Sequence, residues 1–134
     1  MTKLRTLWAN AFLSLAIFAS PMTTWAADYM PFVLSTLTAA SIKEASNQAK
    51  SALKANGFEM VGEYAPSANA QVLVVTSNAL KVVAAASENG GFGAMSRVSI
   101  TNKGGQVQVS YTNPTYMWNA YRMKGDISPV QTAM

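Results

Sequence analysis

The sequence predicts an α+β fold, an antiparallel-rich sheet with two to three helices packed on it. Three observations carry that expectation. Side-chain helix caps fall at Ser41, Ser77 and Asn113, spaced by 36 and 36 residues. Two strand-like segments follow each of the first two caps, an αββ rhythm. Short turn-rich connections between those segments favour antiparallel pairing, and the helices then cover the sheet. Identity between the repeating units is slight, so an old duplication and a coincidence both stay open.

The first 26 residues have the three-part layout of a cleavable export leader. Lys3 and Arg5 precede an apolar run over residues 7–19, Pro21 interrupts it, and Thr24-Trp25-Ala26 offers a small-residue cleavage site. As a helix the 13-residue run spans roughly 20 Å at about 1.5 Å per residue, against the roughly 30 Å of a bilayer core. The expectation is a signal peptide over 1–26, a single α+β domain over 27–134, periplasmic or secreted, with no stable membrane span after cleavage. No Cys follows the cleavage site, which excludes a lipid anchor there.

The mature segment then reads in order. Pro31–Thr38 is rich in strand formers, with Pro31 suited to a strand start or an edge. Ser41-Ile42-Lys43-Glu44 is a capping box. Ile42, Ala45, Ala49, Ala52 and Leu53 place one apolar face on the helix that follows, and Asn56-Gly57 ends it. Phe58–Tyr64 alternates, with Phe58, Met60 and Tyr64 on one face and Glu59 and Glu63 on the other. Ala65–Asn69 reads as a turn, and the run Val72–Val75 suits a central strand covered on both faces. Ser77 caps a short helix over Asn78–Ser87, and Asn89-Gly90-Gly91-Phe92-Gly93 stops it. Ala94–Thr101 and Gln106–Thr112 form a hairpin through the turn residues Asn102–Gly105. Asn113-Pro114 opens a third helix that Gly125 ends. Ser128-Pro129-Val130-Gln131 then sets up another helix start, yet the sequence stops at Met134. The expectation is a chain incomplete at its C-terminus, whose isolated product aggregates or melts low.

Composition narrows the chemistry. The chain has no His and no Cys, so Ser-His-Asp or Cys-His catalysis, disulfides and the usual zinc, haem and iron–sulfur ligand sets are excluded. Loss of Lys3 and Arg5 leaves eight bases against six acids, a side-chain net of +2. Those bases are scattered, which gives nucleic-acid binding little support. The acids do not cluster; Glu59 and Glu63 read as a solvated sheet face rather than a calcium or magnesium site. No metal and no cofactor is expected. Ser51-Ala52-Leu53-Lys54 matches Ser-x-x-Lys only in the middle of a helix, and the partner motifs of penicillin-recognising enzymes are missing. The order of the glycine-rich stretch is helix, glycines, strand, the reverse of a dinucleotide fingerprint, so it reads as a helix stop.

Asn113–Lys124 holds the densest binding-type chemistry. Tyr116, Ala120 and Met123 share one stripe, Met117 and Tyr121 the next, while Trp118 and Arg122 are four apart on a third side suited to a cation–π contact. Two readings stand: a core helix, or a binding surface of Asn113, Trp118, Asn119 and Arg122, with Arg97 of the sheet as a further candidate. Trp118 is the sole tryptophan once Trp8 and Trp25 leave with the leader.

The stretch Ala52-Leu53-Lys54-Ala55-Asn56-Gly57-Phe58-Glu59-Met60-Val61-Gly62-Glu63-Tyr64, the following Val72–Ala85 segment and the hairpin into Tyr111–Pro114 resemble the bacterial domain of unknown function family 302, over roughly Phe32–Lys124. The resemblance implies a small α+β domain with no established activity. Many members of that family show a Cys-Asn-Pro-like turn after the central strand. Here the matching stretch reads Thr76-Ser77-Asn78-Ala79, which keeps Asn78 but has neither Cys nor Pro, so a thiol-based role is out.

Two function classes follow. The first is an exported, non-catalytic binding or accessory module for an unidentified small molecule or protein, with no catalytic residue assigned. The second is an enzyme restricted to Tyr, Lys, Arg and carboxylate chemistry, for which Arg97 and Glu59 or Glu63 would have to share a cleft. The position of Arg97 discriminates them: burial beside a carboxylate favours the enzyme.

Overall fold

The computed structural model describes residues 29–134; the expected leader over 1–26 lies outside the described residues. Five strands form one sheet: β1 (Phe32–Leu34), β2 (Phe58–Ser67), β3 (Ala70–Ser77), β4 (Ser96–Lys103) and β5 (Gln106–Thr112). Their order is β1-β5-β4-β3-β2, and every neighbouring pair is antiparallel. Four α-helices accompany them: α1 (Ile42–Ala55), α2 (Asn78–Ala85), α3 (Pro114–Ala120) and α4 (Ser128–Ala133), with a 3-10 turn over Gly90–Gly93. The predicted α+β class and the αββ rhythm are both present.

The three caps form as the sequence dictates. The Ser41 hydroxyl accepts from the Glu44 amide at 3.1 Å, the Ser77 hydroxyl from the Leu80 amide at 3.2 Å, and the Asn113 side chain from the Thr115 amide at 3.1 Å. At Ser41 the returning carboxylate of Glu44 accepts from the Ala40 amide at 3.0 Å, one residue before the position a capping box uses. Gly57 ends α1 in the left-handed region at φ 79°. The β4–β5 hairpin closes through Gly104 and Gly105, both at positive φ, the conformation of a tight two-residue hairpin.

Pairing parity puts Leu73 and Val75 of β3, Val98 and Ile100 of β4 and Val109 of β5 on one face. All the described helices pack there. Ala45 and Ala49 of α1 are small enough to bring its axis close over Leu73, Ile100 and Val109, the first core cluster. Phe58, Val75, Leu80, Trp118, Ile127 and Val130 make the second, at the end of the sheet where α2, α3 and α4 meet. Leu53 of α1 touches both clusters and joins them.

Several expectations are corrected. The first strand has three residues, not eight: after Leu34 only the Ser35 amide still bonds the sheet, to the Val109 carbonyl at 2.8 Å, before the chain leaves the edge. In β2 the register shifts between Met60 and Gly62, a bulge at Val61. The extra residue reverses the alternation beyond it, so Glu63 joins the face of Phe58 and Met60, and Tyr64 takes the opposite one. Glu63 thereby reaches Lys50 of α1 at 2.7 Å. The strand also runs on through Pro66 to Ser67, where the turn was expected to have begun; Pro66 is tolerated because β2 is an edge. The central strand β3 has helices on one face only, among the described residues; on the other, Val72 is buried and Val74 half-buried without them.

The third helix stops at Ala120, short of Gly125. Arg122 takes the left-handed conformation at φ 52°, its amide bonds the Asn119 carbonyl and the Met123 amide bonds the Trp118 carbonyl, both at 3.0 Å. That pair of bonds is a Schellman cap with Arg122 in the place usually held by glycine. Arg122 therefore lies outside the helix, and the four-residue spacing to Trp118 no longer describes a shared helical face. At α4 the expected Ser128–Gln131 box does not form. Asp126 accepts from the Ser128 amide at 2.9 Å, and the Gln131 side chain accepts from the Thr115 hydroxyl of α3 at 2.7 Å. Six residues are too few for a free helix, and α4 holds by burying Ile127 and Val130 in the second cluster.

Candidate functional site

The exit from α2 builds the site. Asn89 turns the chain through a left-handed conformation at φ 58°, and the 3-10 turn Gly90–Gly93 follows. Two of its glycines are closely packed, Gly90 against backbone and Gly93 against a side chain. A Cβ on Gly90 would overlap the Ala84 carbonyl of α2, and one on Gly93 would stand 2.6 Å from the Met123 sulfur. The backbone therefore seats directly on α2 and on the segment after α3. Gly91 meets nothing, and Phe92 projects outward, 74% exposed. The Thr76 hydroxyl donates to the Ala94 carbonyl at 2.6 Å and ties the end of the turn to β3.

Opposite Phe92 stands Tyr121, the C-terminal cap of α3, 52% exposed. Their ring centroids are 6.4 Å apart with planes at 27°. Between the turn, the start of β4, the end of β5 and α3 lies an open cleft of about 500 Å³. Asn89, Phe92, Met95, Arg97, Thr112, Met117 and Tyr121 line it, with Ser96. Met95 is 48% exposed as well. Leaving one large apolar side chain in water forgoes roughly 1.5–3 kcal/mol of burial. Three such residues share one rim, an exposed apolar cluster rather than isolated side chains.

The polar groups of the cleft are few. Among the described residues Arg97 is the one charged residue lining it, and it is exposed. Among the described residues the ion pairs are Lys50–Glu63 at 2.7 Å and Lys81–Glu59 at 3.2 Å, so Arg97 has no acidic partner. The Ser96 hydroxyl is fully buried and has no hydrogen-bond partner among the described residues. The Thr112 hydroxyl points to the Arg97 carbonyl at 3.4 Å, too long to be strong. Among the described residues no carboxylate lines the cleft.

A second groove of about 500 Å³ lies between α1 and the edge strand β2, lined by Lys50, Leu53, Lys54, Phe58, Glu59, Met60 and Glu63. Its carboxylates are engaged, Glu63 by Lys50 and Glu59 by Lys81, so its polar groups are more nearly satisfied. Among the described residues no three His, Cys, Asp or Glu residues come together as a metal site, and no helix is long and apolar enough to cross a membrane.

Of the five residues singled out from the sequence, the cleft gathers Arg97. Trp118 sits in the second core cluster, 6% exposed, with its indole N–H donating to the Gly125 carbonyl at 2.9 Å. Asn113 caps α3, and its amide group donates to the Met30 carbonyl at 2.8 Å, stitching the chain ahead of β1 to α3. Asn119 is exposed and donates to the Thr115 carbonyl at 2.8 Å. Arg122 is exposed at the Schellman cap. Sequence reasoning missed Phe92, Met95 and the Met117–Tyr121 pair as partners of Arg97. The available signal was Phe92 itself: a large aromatic between glycines, in a turn with no element to bury it.

No curated protein matches the chain, and no solved structure does. The sequence profile of the family described as Domain of unknown function DUF302 matches residues 34–134, which takes in α1 to α4, four of the five strands whole, and the cleft. The chain belongs to this family of domains of unknown function.

Proposed function

We propose that this chain is an exported, non-catalytic binding or accessory module whose ligand site is the cleft between Phe92 and Tyr121. The observation that carries this reading is the aromatic pair held in solvent over a concave, mostly apolar space of about 500 Å³. Small-molecule sites have that size and that make-up, with a few polar groups to orient the ligand. Gly90 seats the turn on the Ala84 carbonyl of α2, and Trp118 packs under it, 3.4 Å from where a Gly93 Cβ would stand. The lining offers no carboxylate, imidazole or thiol to carry a proton near neutral pH, which favours binding over acid–base catalysis. Export rests on the leader sequence over 1–26. Intact-mass measurement on the exported fraction is expected to give a chain beginning at or within two residues of Ala27; only full-length chain in the membrane overturns export.

The binding reading is tested with a neutral apolar reporter dye, N-phenyl-1-naphthylamine. The intact protein is expected to bind it, and Phe92→Ala or Tyr121→Ala to weaken binding about tenfold, roughly 1.4 kcal/mol. Both side chains are exposed, so melting temperatures should stay within a few degrees. Unchanged dye affinity in both variants overturns the site.

A further inference from the structure

We infer that the cleft takes a small planar aromatic anion, its flat body against Phe92 and Tyr121 and its acid group on the Arg97 guanidinium. The inference rests on the cleft being the ligand site and adds the chemical class of what enters it.

Shape comes first. The two rings are nearly parallel, with centroids 6.4 Å apart and planes at 27°. Two faces that hold a flat group between them need about 7 Å, two carbon contacts of about 3.5 Å each. Phe92 is 74% exposed and has room to move outward to admit one. Gly91, just before it, has open space around it, so the turn has room on that side. Met95 and Met117 add unbranched, adaptable walls that fit a ring edge.

Sign comes second. Aromatic faces and thioethers alone would equally suit a cation. Arg97 decides against that, as the one charge lining the cleft and without an acidic partner among the described residues. A planar guanidinium takes a carboxylate or sulfonate through two parallel hydrogen bonds. A single acid group is what one arginine balances.

The test titrates the intact protein with three probes on one ring system: 2-naphthoate, neutral 2-naphthalenemethanol and cationic 2-naphthylmethylammonium. The naphthoate is expected to bind at least about tenfold tighter than the alcohol, with the ammonium weakest, a difference that Arg97→Gln removes and Arg97→Lys partly keeps. A salt series on the unmodified protein reads the same charge contribution without any variant: rising ionic strength should weaken naphthoate and leave the alcohol unchanged. Equal affinities for all three probes, or an order untouched by Arg97→Gln and by salt, overturn the anion assignment. Binding of the neutral probe that Phe92→Ala weakens would then leave the cleft standing as a site of different selectivity. Failure of every probe, the neutral dye included, overturns both.

Discussion

Arg122 is the residue whose backbone departs furthest from what its sequence neighbours suggest. A left-handed backbone costs a side-chain-bearing residue roughly 1 kcal/mol relative to glycine, and here it is kept by the two cap bonds to Trp118 and Asn119. Arg122→Gly is therefore expected to raise stability by about 0.5–1 kcal/mol in urea unfolding. A loss of stability would mean that the exposed arginine side chain contributes something the backbone account omits. Trp118 shows the limit of reading one residue at a time. Its type suits a core or a binding surface, and the Gly125 carbonyl, seven residues on, gives its N–H a partner. Phe92 is the reverse case: its neighbours in sequence state that it sits in a turn, and nothing local states that Tyr121 will stand 6.4 Å away.

Among the elements, the caps were legible and the bulge was not. Ser41, Ser77 and Asn113 each bond an amide two or three residues on, so everything that decides them lies within one helical turn of sequence. The Val61 bulge is decided by pairing with Val74 and Val75 of β3, thirteen and fourteen residues away, and it moved Glu63 to the face of Lys50. Helix α4 illustrates a short element held at its start by a charge. The Asp126 carboxyl lies below its ordinary value because the Ser128 hydroxyl and then the Ser128 amide donate to it. A depressed carboxyl stabilises the fold above its unfolded pKa and stops doing so as pH falls through the folded one. Asp126→Ala is thus expected to lower the melting temperature at neutral pH and to matter progressively less below about pH 4. A penalty that persists undiminished at about pH 2 would show that the ionised carboxylate is not what holds the start of α4.

At the scale of the whole molecule, the fold is a five-stranded antiparallel sheet with every described helix on one face. The other face carries Arg97, Ser99 and Thr101 on β4 and Gln108 and Ser110 on β5, a composition that tolerates water. The class and the αββ order were legible because hydrophobic period and turn chemistry report them along the chain. The cleft was not, because it joins residues 89–97 to residues 112–121 across the end of the sheet, and of its residues only Arg97 stood out by type. The most direct measurement is a proton–nitrogen correlation titration of the labelled protein with 2-naphthoate, read residue by residue. The account predicts shifts centred on the amides of Gly91–Arg97 and of Met117–Arg122. Shifts centred instead on the α1–β2 groove around Lys50, Lys54 and Met60, or a spectrum that does not move, would contradict it.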